Sequence, residues 1–489
     1  MLKLTFALLL IATVLHSATA APPYSRETPV EIRSEADRLL AAEWKRNRLE
    51  VPAGASDSVM VRRLYLDLAG RVPTPEEAKQ FVRSEDPEKL EKLIDSLLAG
   101  DDFADFWTMR WCDALRVKSE FPINLWPNAV YGYQRRVRRF LSENEPYDRF
   151  VRALLTSERS NFRVPEANFY RATADRSPEG IARAAALTFL GSRLEQWPEA
   201  ERKKFTARFE PVRFKSTREW KEEIVYWSVP GANAAAAAAV LDHPDFARAA
   251  VNRVWAWIFG RGIVHEPDDL RPDNPPVNPE LLDALASDFV RSGYDFRKLC
   301  RTIVSSAAYR AASGSEAAEA HFAAYPIRRI DAEVLDDALR QLSGVPSTYS
   351  SVIPEPFTFL PENARTVTIA DGSISSSFLI LFGRPARDSG SFSERNNAIT
   401  GKQRLWLFNS GEIYRKLGRI PQRPELKKLP FPRKVEELYW LFLSRPPTPE
   451  EARTIRESFN RIPKGREKWR FPQDLCWILL NTREFLYQH

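Results

Sequence analysis

LDHPDFARAAVNRVWAWIFGRGIV (Leu241 to Val264) and RKLCRTIVSSAAYR (Arg297 to Arg310) bracket the stretch from which the fold is read. Phe246, Ala250, Val254 and Trp257 recur at helical spacing, and Trp255, Ile258 and Phe259 widen the stripe. That spacing predicts a largely buried helix from His243 to Phe259. Asp242 is its expected cap, with Pro244 in the tolerated first turn and Asp245 complementing the dipole. Gly260-Arg261-Gly262 should stop it. Asn278-Pro279-Glu280 then starts a second helix, Leu281 to Arg291, closed by Gly293. Asp295 caps a third, with Phe296, Leu299, Cys300, Ile303 and Val304 on one face.

Asn252 and Arg253 fall inside the apolar surface of the first helix, beside Trp255. A buried guanidinium needs a carboxylate or several carbonyls. The nearest supply is the proline-stiffened loop His265 to Asn274. The candidate binding residues are therefore Asn252, Arg253, Trp255, His265, Asp268, Asp269, Arg271 and Asn274. A pair of Arg253 with Asp268 or Asp269, locking helix to loop, is the plain expectation, and a functional pocket is the sharper one. His243, His265, Asp268, Asp269 and Asp273 match no metal-ligand spacing, so no metal site is expected. There is no G-x-S-x-G, Walker loop or H-E-x-x-H, and no histidine partner is identifiable for Ser375 to Ser377, Ser389 or Ser391. No catalytic residue can be named.

Outward from this stretch, helical periodicity dominates. Helices are expected over Glu31 to Arg48, Val59 to Leu68, Leu90 to Ala99, Phe103 to Arg116, Asn128 to Ser142, Tyr147 to Thr156 and Ile181 to Leu190. Thr74-Pro75-Glu76-Glu77 is a capping box with proline at the first helical position. Arg135 to Arg139 reads as a solvated basic face, and Ser160 to Pro178 as a surface connection. The six alanines Ala234 to Ala239 read as helix. TVTIADG (Thr366 to Gly372) and SSSFLILFG (Ser375 to Gly383) are the best strand candidates. The expected fold is mainly α and multi-helical, with a minor β or irregular segment at 345–395. The domain reading is a leader at 1–20, a helical domain at 22–200, an irregular connection at 201–240 and a second helical domain at 241–489. The terminal helices of that second domain fall within 402–489.

LYLDLAGRVPTPEEAK (Leu64 to Lys79) returns as LYWLFLSRPPTPEEAR (Leu438 to Arg453), sharing Arg71/Arg445 and the whole P-T-P-E-E-A core. LLNTREF (Leu479 to Phe485) echoes LLAGDDF (Leu97 to Phe103) and, more faintly, IVSSAAY (Ile303 to Tyr309). Because capping and turn chemistry explain what is shared, this reads as a recurring packing unit.

The first residues, MLKLTFALLLIATVLHSATAAPP, carry Lys3, an apolar run from Leu4 to Leu15, and Ala18-Thr19-Ala20 before Ala21. That is the pattern of a cleaved secretory leader, so an exported, periplasmic or extracellular protein is expected. No later run reaches the roughly 18 apolar residues of a spanning helix, so no transmembrane segment is expected. Hydrophobic residues at 44% and 13 tryptophans support a real core. The formal charge of +7 comes from scattered residues; an anionic polysaccharide or another exported protein is the expected partner, and nucleic acid is not. Cys112, Cys300 and Cys476 lie in apolar helical contexts and read as buried free thiols.

RLYLDLAGRVPTPEE, the Leu241 to Arg310 stretch, FLILFGRPAR and LYWLFLSRPPTPEE together resemble a known pairing. It is that of two domains of unknown function found together in large exported proteins of planctomycetes and related bacteria, often with a cytochrome c-like domain upstream. The resemblance spans nearly the whole chain after the leader and implies an exported, mostly helical protein without an established activity. Two departures stand out. Where the family commonly has a haem-attachment cysteine pair and histidine, this chain reads Ser192-Arg193-Leu194-Glu195-Gln196-Trp197-Pro198. Where it tends to have cysteines after GRPxR, this chain reads Ser389-Gly390-Ser391-Phe392-Ser393-Glu394-Arg395. Thioether attachment needs thiols, so covalent haem is not expected and no other cofactor is expected. The leading expectation is a non-catalytic binding or scaffold protein. The alternatives are a polysaccharide hydrolase using loop carboxylates, and a derivative of a haem-linked redox protein that has lost its cofactor.

Overall fold

Three copies of one helical unit organise the chain. The structure, a computed structural model, describes residues 24–355, 357–358, 363–463 and 465–489; the expected leader lies outside them. The first unit comprises helix Asp57–Leu64, prolonged by a π-turn at Tyr65–Ala69, and helices Pro75–Arg83, Lys89–Ala99 and Asp101–Ala114. The second comprises Asp245–Phe259, Pro279–Arg291, Phe296–Val304 and Ala307–Arg310. The third comprises Phe431–Leu443, Pro449–Arg461, Arg466–Leu480 and Arg483–Leu486. The mainly α expectation holds, and the faint echo at Ile303 to Tyr309 belongs to a complete copy.

Each unit repeats the same local chemistry. Its first helix stops on a left-handed residue, Gly70 (φ 58°), Gly260 (φ 78°) or Ser444 (φ 59°). An arginine follows at once: Arg71, Arg261 or Arg445. Thr74, Asn278 or Thr448 caps the second helix through its side chain, with proline next. The fourth helix begins after an extended residue, Gly100, Ser306 or Thr482, with ψ of 155°, 156° and 151°. At Gly70 the glycine is also needed for space, since a Cβ there would lie 2.3 Å from Phe106 Cδ2.

The units are joined through their cores. Trp107 and Trp111, one turn apart on the fourth helix of the first unit, meet Trp257 of the second edge-on at 5.9 and 5.2 Å between ring centroids. Phe296 closes on Trp107 at 5.3 Å. Such pairs add about 0.5–1.5 kcal/mol each beyond burial. The first and third units are tied by Arg62, which donates to the carbonyls of Phe442 and Phe485 at 2.9 Å each. Lys79 also pairs with Glu437 at 2.6 Å. The three cysteines are buried and free, and burial pushes the Cys112 thiol up to about 12. No helix among the described residues is long and apolar enough to cross a membrane.

Several local expectations need correction. The strand candidates at 366–383 form a 3-10 turn, Thr366–Thr368, and a short helix, Ser377–Leu381. The Asp337 carboxylate accepts from the Thr366 and Val367 N–H groups, and the Ser376 hydroxyl accepts from Leu379 N. Donors that a ladder would need are therefore taken by side chains. The longest strand pair lies instead in the connection expected to be irregular, with Val212–Ser216 antiparallel to Glu223–Trp227; Arg159–Ser160, from the first helical stretch, adds the other edge. That region also holds helix Ala232–Leu241, as the alanine run predicts. Asp242 is the C-cap of that helix, its N–H spent on Ala238 and Val240, so it does not cap the next one. There the ring nitrogen Nδ1 of His243 accepts from Asp245 N at 3.2 Å. The stretch from Ser160 is no mere surface connection, because Asn161, Asn168, Phe169 and Tyr170 are fully buried. Within the arginine cluster, Arg136 is buried against Glu145 and Glu166, while Arg135 and Arg139 are exposed.

Candidate functional site

The eight residues singled out around Arg253 divide into a buried lock and an exposed loop. Asn252 is fully buried, accepting from Val264 N at 2.9 Å and donating to Val264 O at 3.3 Å, so it clamps the turn after its own helix. Trp255 is buried, stacked on Phe259 at 4.5 Å. Arg253 donates through Nη2 to Asp268 at 2.9 Å and to Leu187 O at 2.8 Å, which is the expected lock between helix and loop. The second Asp268 oxygen accepts from Phe392 N. Asp269 pairs with Arg271 at 2.9 Å, and Asn274 donates to Asp269 O at 3.0 Å, so the loop closes on itself. His265 and Arg271 are exposed. Of the eight, Arg253 lines a cavity.

That cavity is a cleft of about 230 Å³ between the first two units and the loop at 385–398. Its walls include Arg110 and Asp113 from the first unit, Arg253 and Trp257 from the second, and Arg328, Arg395 and Asn397. Gly390 (φ 76°) allows the loop to approach, since a Cβ would lie 2.5 Å from Ala114 O. Arg110, an arginine inside an apolar helical stripe, could have been found by the rule that singled out Arg253. Arg328 and Arg395 come from segments without a regular period, so no spacing pointed to them.

Behind the walls lies a buried charge network. Arg110 pairs with Asp331, and Arg328 with Asp67. Arg395 reaches Asp113 at 2.6 Å and Glu333 at 2.7 Å. Arg387 takes the other Asp113 oxygen at 2.8 Å, and Arg384 lies 3.4 Å from Glu333. Arg329 donates through Nη2 to the carbonyls of Phe382 and Asn396. Arginines 110, 253, 328, 329, 384, 387 and 395 thus face carboxylates 67, 113, 268, 331 and 333, leaving an excess of positive charge. Burial would raise the Asp331 pKa, but Arg110, Arg395 and Arg328 outweigh it and hold the carboxyl well below its usual range. Burial opposes the charge on Arg395 too, and Asp113, Glu333 and Asp331 overcome it. Arg110, with fewer carboxylates, is shifted down by burial.

Guanidinium donors are left over. Arg110 Nη1 and the Nε and Nη1 of Arg253 bond to no protein atom among the described residues, and none is fully enclosed. Asp113 is the one carboxylate on the described walls, and both its oxygens are taken by arginines. The cleft therefore offers cations and free N–H groups to a ligand, and no pair of carboxylates for acid/base work.

Residues 35–201 match the family described as PSCyt2, protein of unknown function (DUF1549), and residues 234–459 match PSD1, protein of unknown function (DUF1553). The chain thus carries both of these domains of unknown function, as the paired-domain resemblance implies. No curated protein and no solved structure matches it. The cleft joins the pair: Arg110 and Asp113 lie in the first matched stretch, while Arg253, Trp257, Arg328 and Arg395 lie in the second. The two segments where this chain lacks the expected cysteines are gathered on one loop. Gly191 O accepts from Leu270 N at 2.9 Å, and Phe392 N donates to Asp268. Arg116 spans the same place, donating to Thr188 at 3.2 Å and lying under Gly390.

Proposed function

We propose that this protein is an exported, non-catalytic binding protein that draws the carboxylate or sulfate group of an acidic extracellular polysaccharide into the arginine-walled cleft. The observation that carries the reading is the set of unpartnered N–H groups on Arg110 and Arg253, in a pocket with an excess of buried positive charge. Charge-assisted hydrogen bonds from guanidinium to oxyanion are the strong class and suit such a site. The volume is below the roughly 300–1,000 Å³ of sites that enclose drug-sized ligands, which favours one charged group over a whole ligand. The loop carboxylates suit a hydrolase poorly, since Asp268 and Asp269 are both engaged by arginines.

Titration calorimetry with inorganic sulfate, and then with an acidic oligosaccharide, tests this. Ala398, exposed on the cleft rim, becomes glutamate in the control variant. Sulfate should bind wild type and lose at least tenfold in affinity with Ala398→Glu at unchanged melting temperature. No heat with wild type, or equal affinity in both proteins, sinks the proposal. A second reading, descent from a haem-linked redox line, is favoured by the meeting of the two cysteine-less segments on one loop. A Soret band in the purified protein would contradict it.

A further inference from the structure

The hairpin Val212–Ser216/Glu223–Trp227 lies between the two matched stretches, in residues that neither family description covers. Lys221 at its tip helps to line a second cavity, of about 220 Å³, with Pro122, Asn124, Arg171, Thr173 and Arg176. Arg171 and Arg176 share a single carboxylate, Glu223, and Lys221 bonds to no carboxylate among the described residues. The pocket is therefore net positive. Beside it stand large aromatic surfaces: Trp220 is 69% exposed and Phe121 79%. Trp126 meets Trp220 edge-on at 6.4 Å, and the Lys221 ammonium lies 5.4 Å from the Trp220 ring centre.

The backbone here is held in conformations that side chains avoid. Asn124 and Lys221 have φ of 58° and 65°. Trp126 has φ 68° and ψ 149°, a region kept essentially for glycine. Strained residues cluster where a structure over-determines them; Asn124 and Lys221 line the pocket, and Trp126 stands against Trp220. A protein surface has little reason to expose an indole next to a cationic cavity unless something covers it.

We propose that this pocket is a second ligand site, binding an acidic sugar residue: the ring's C–H face packs on the Trp220 indole while its carboxylate reaches Arg176 and Lys221. The inference shares the polymer class of the reading above but uses a different site, and it fails separately. Two indoles set edge-on offer a corner for one saturated ring rather than the parallel slot that would clamp a nucleobase.

The test uses the full chain and a homogeneous oligouronate hexamer, followed by tryptophan fluorescence and calorimetry. Trp220→Ala should weaken binding at least tenfold and Lys221→Ala about threefold, with the latter loss shrinking at high salt as a screened charge requires. Ala398→Glu, at the central cleft, should leave at least the Trp220-dependent tenfold intact, so failure there and failure here are read apart. Because Trp220 and Lys221 are exposed, both variants should fold with wild-type melting temperatures. Any of three results overturns the proposal: no binding by wild type, a Trp220→Ala variant that binds as wild type does, or equal binding of a neutral hexaglucan. Single-stranded DNA binding with the same Trp220 dependence would reassign the pocket to nucleic acid and equally overturn it.

Discussion

The first and third units use one arginine in the same way, and the second unit does not. Arg71 makes a two-pronged bond to Glu77 at 2.8 Å per arm, and its Nε reaches Asp102 at 2.7 Å. Arg445 does the same with Glu451 and Glu484. Each glutamate also accepts from the backbone N–H of its capping threonine, so one carboxylate finishes a helix and holds the arginine. In the second unit the positions of those partners are Leu281 and Ala308. Arg261 has lost both and lies 5.9 Å from the ring centre of Phe322. Local capping thus survives in all three copies, while the ionic clamp was kept in two. A further difference separates the first unit from the third: Asp67 occupies the place of Leu441. It lies in the π-turn and accepts from Arg328, Tyr309, Tyr325 and Gln488. One shared frame therefore carries an apolar core position in one copy and a charge hub, one residue behind the cleft wall, in the other.

The largest expected effect concerns that hub. Asp67→Leu installs the residue of the third unit and leaves Arg328 buried without its carboxylate, costing about 3–5 kcal/mol in urea denaturation. A variant as stable as wild type would show that the two units do not differ at this point in any way that matters. Next come the clamps. Arg445 is 3% exposed and Arg71 21%, so Arg445→Ala should cost about 3 kcal/mol and Arg71→Ala about 1 kcal/mol. The reverse order would mean that burial does not set the strength of the clamp.

Acid should expose the same hierarchy. Burial would raise the Glu77 and Glu451 pKa values, but Arg71 and Arg445 outweigh it and hold both below the ordinary 4.5. The stability they contribute is fully present above about pH 4.5 and is lost as pH falls through their depressed folded values. The gap in melting temperature between wild type and Glu451→Gln should therefore be wide at pH 7 and close in acid. Glu77→Gln should give a smaller gap of the same sign, and a gap that widens in acid would contradict the pairing. The smallest effect is expected at Arg261, where Arg261→Ala should stay within about 0.5 kcal/mol of wild type.

Much of this was legible in the chain. Thr74, Asn278, Thr448 and Asp295 cap the helices that their spacing announces, because a cap is a contact within three residues. The Arg253–Asp268 lock was readable because a guanidinium in an apolar stripe must find an acceptor, and the adjoining loop supplied one. Arg395 was not readable: its partners, Asp113 and Glu333, lie far away in sequence and carry no shared pattern. The strand candidates failed because Asp337, remote in sequence, takes the N–H groups that a ladder would use.

The sequence by itself determined the helical class, the helix stops, the caps shared by the first and third units and the pairing of two domains of unknown function. Each of these depends on neighbours a few residues apart. Only the tertiary structure decided that Asp67 is a hub, that Arg110 and Arg253 keep donors facing one cleft, and that Lys221, beside the exposed Trp220, joins Arg171 and Arg176 around a second pocket. Those facts rest on charges and rings brought together over long separations, where burial, and not spacing, selects which side chains can pair.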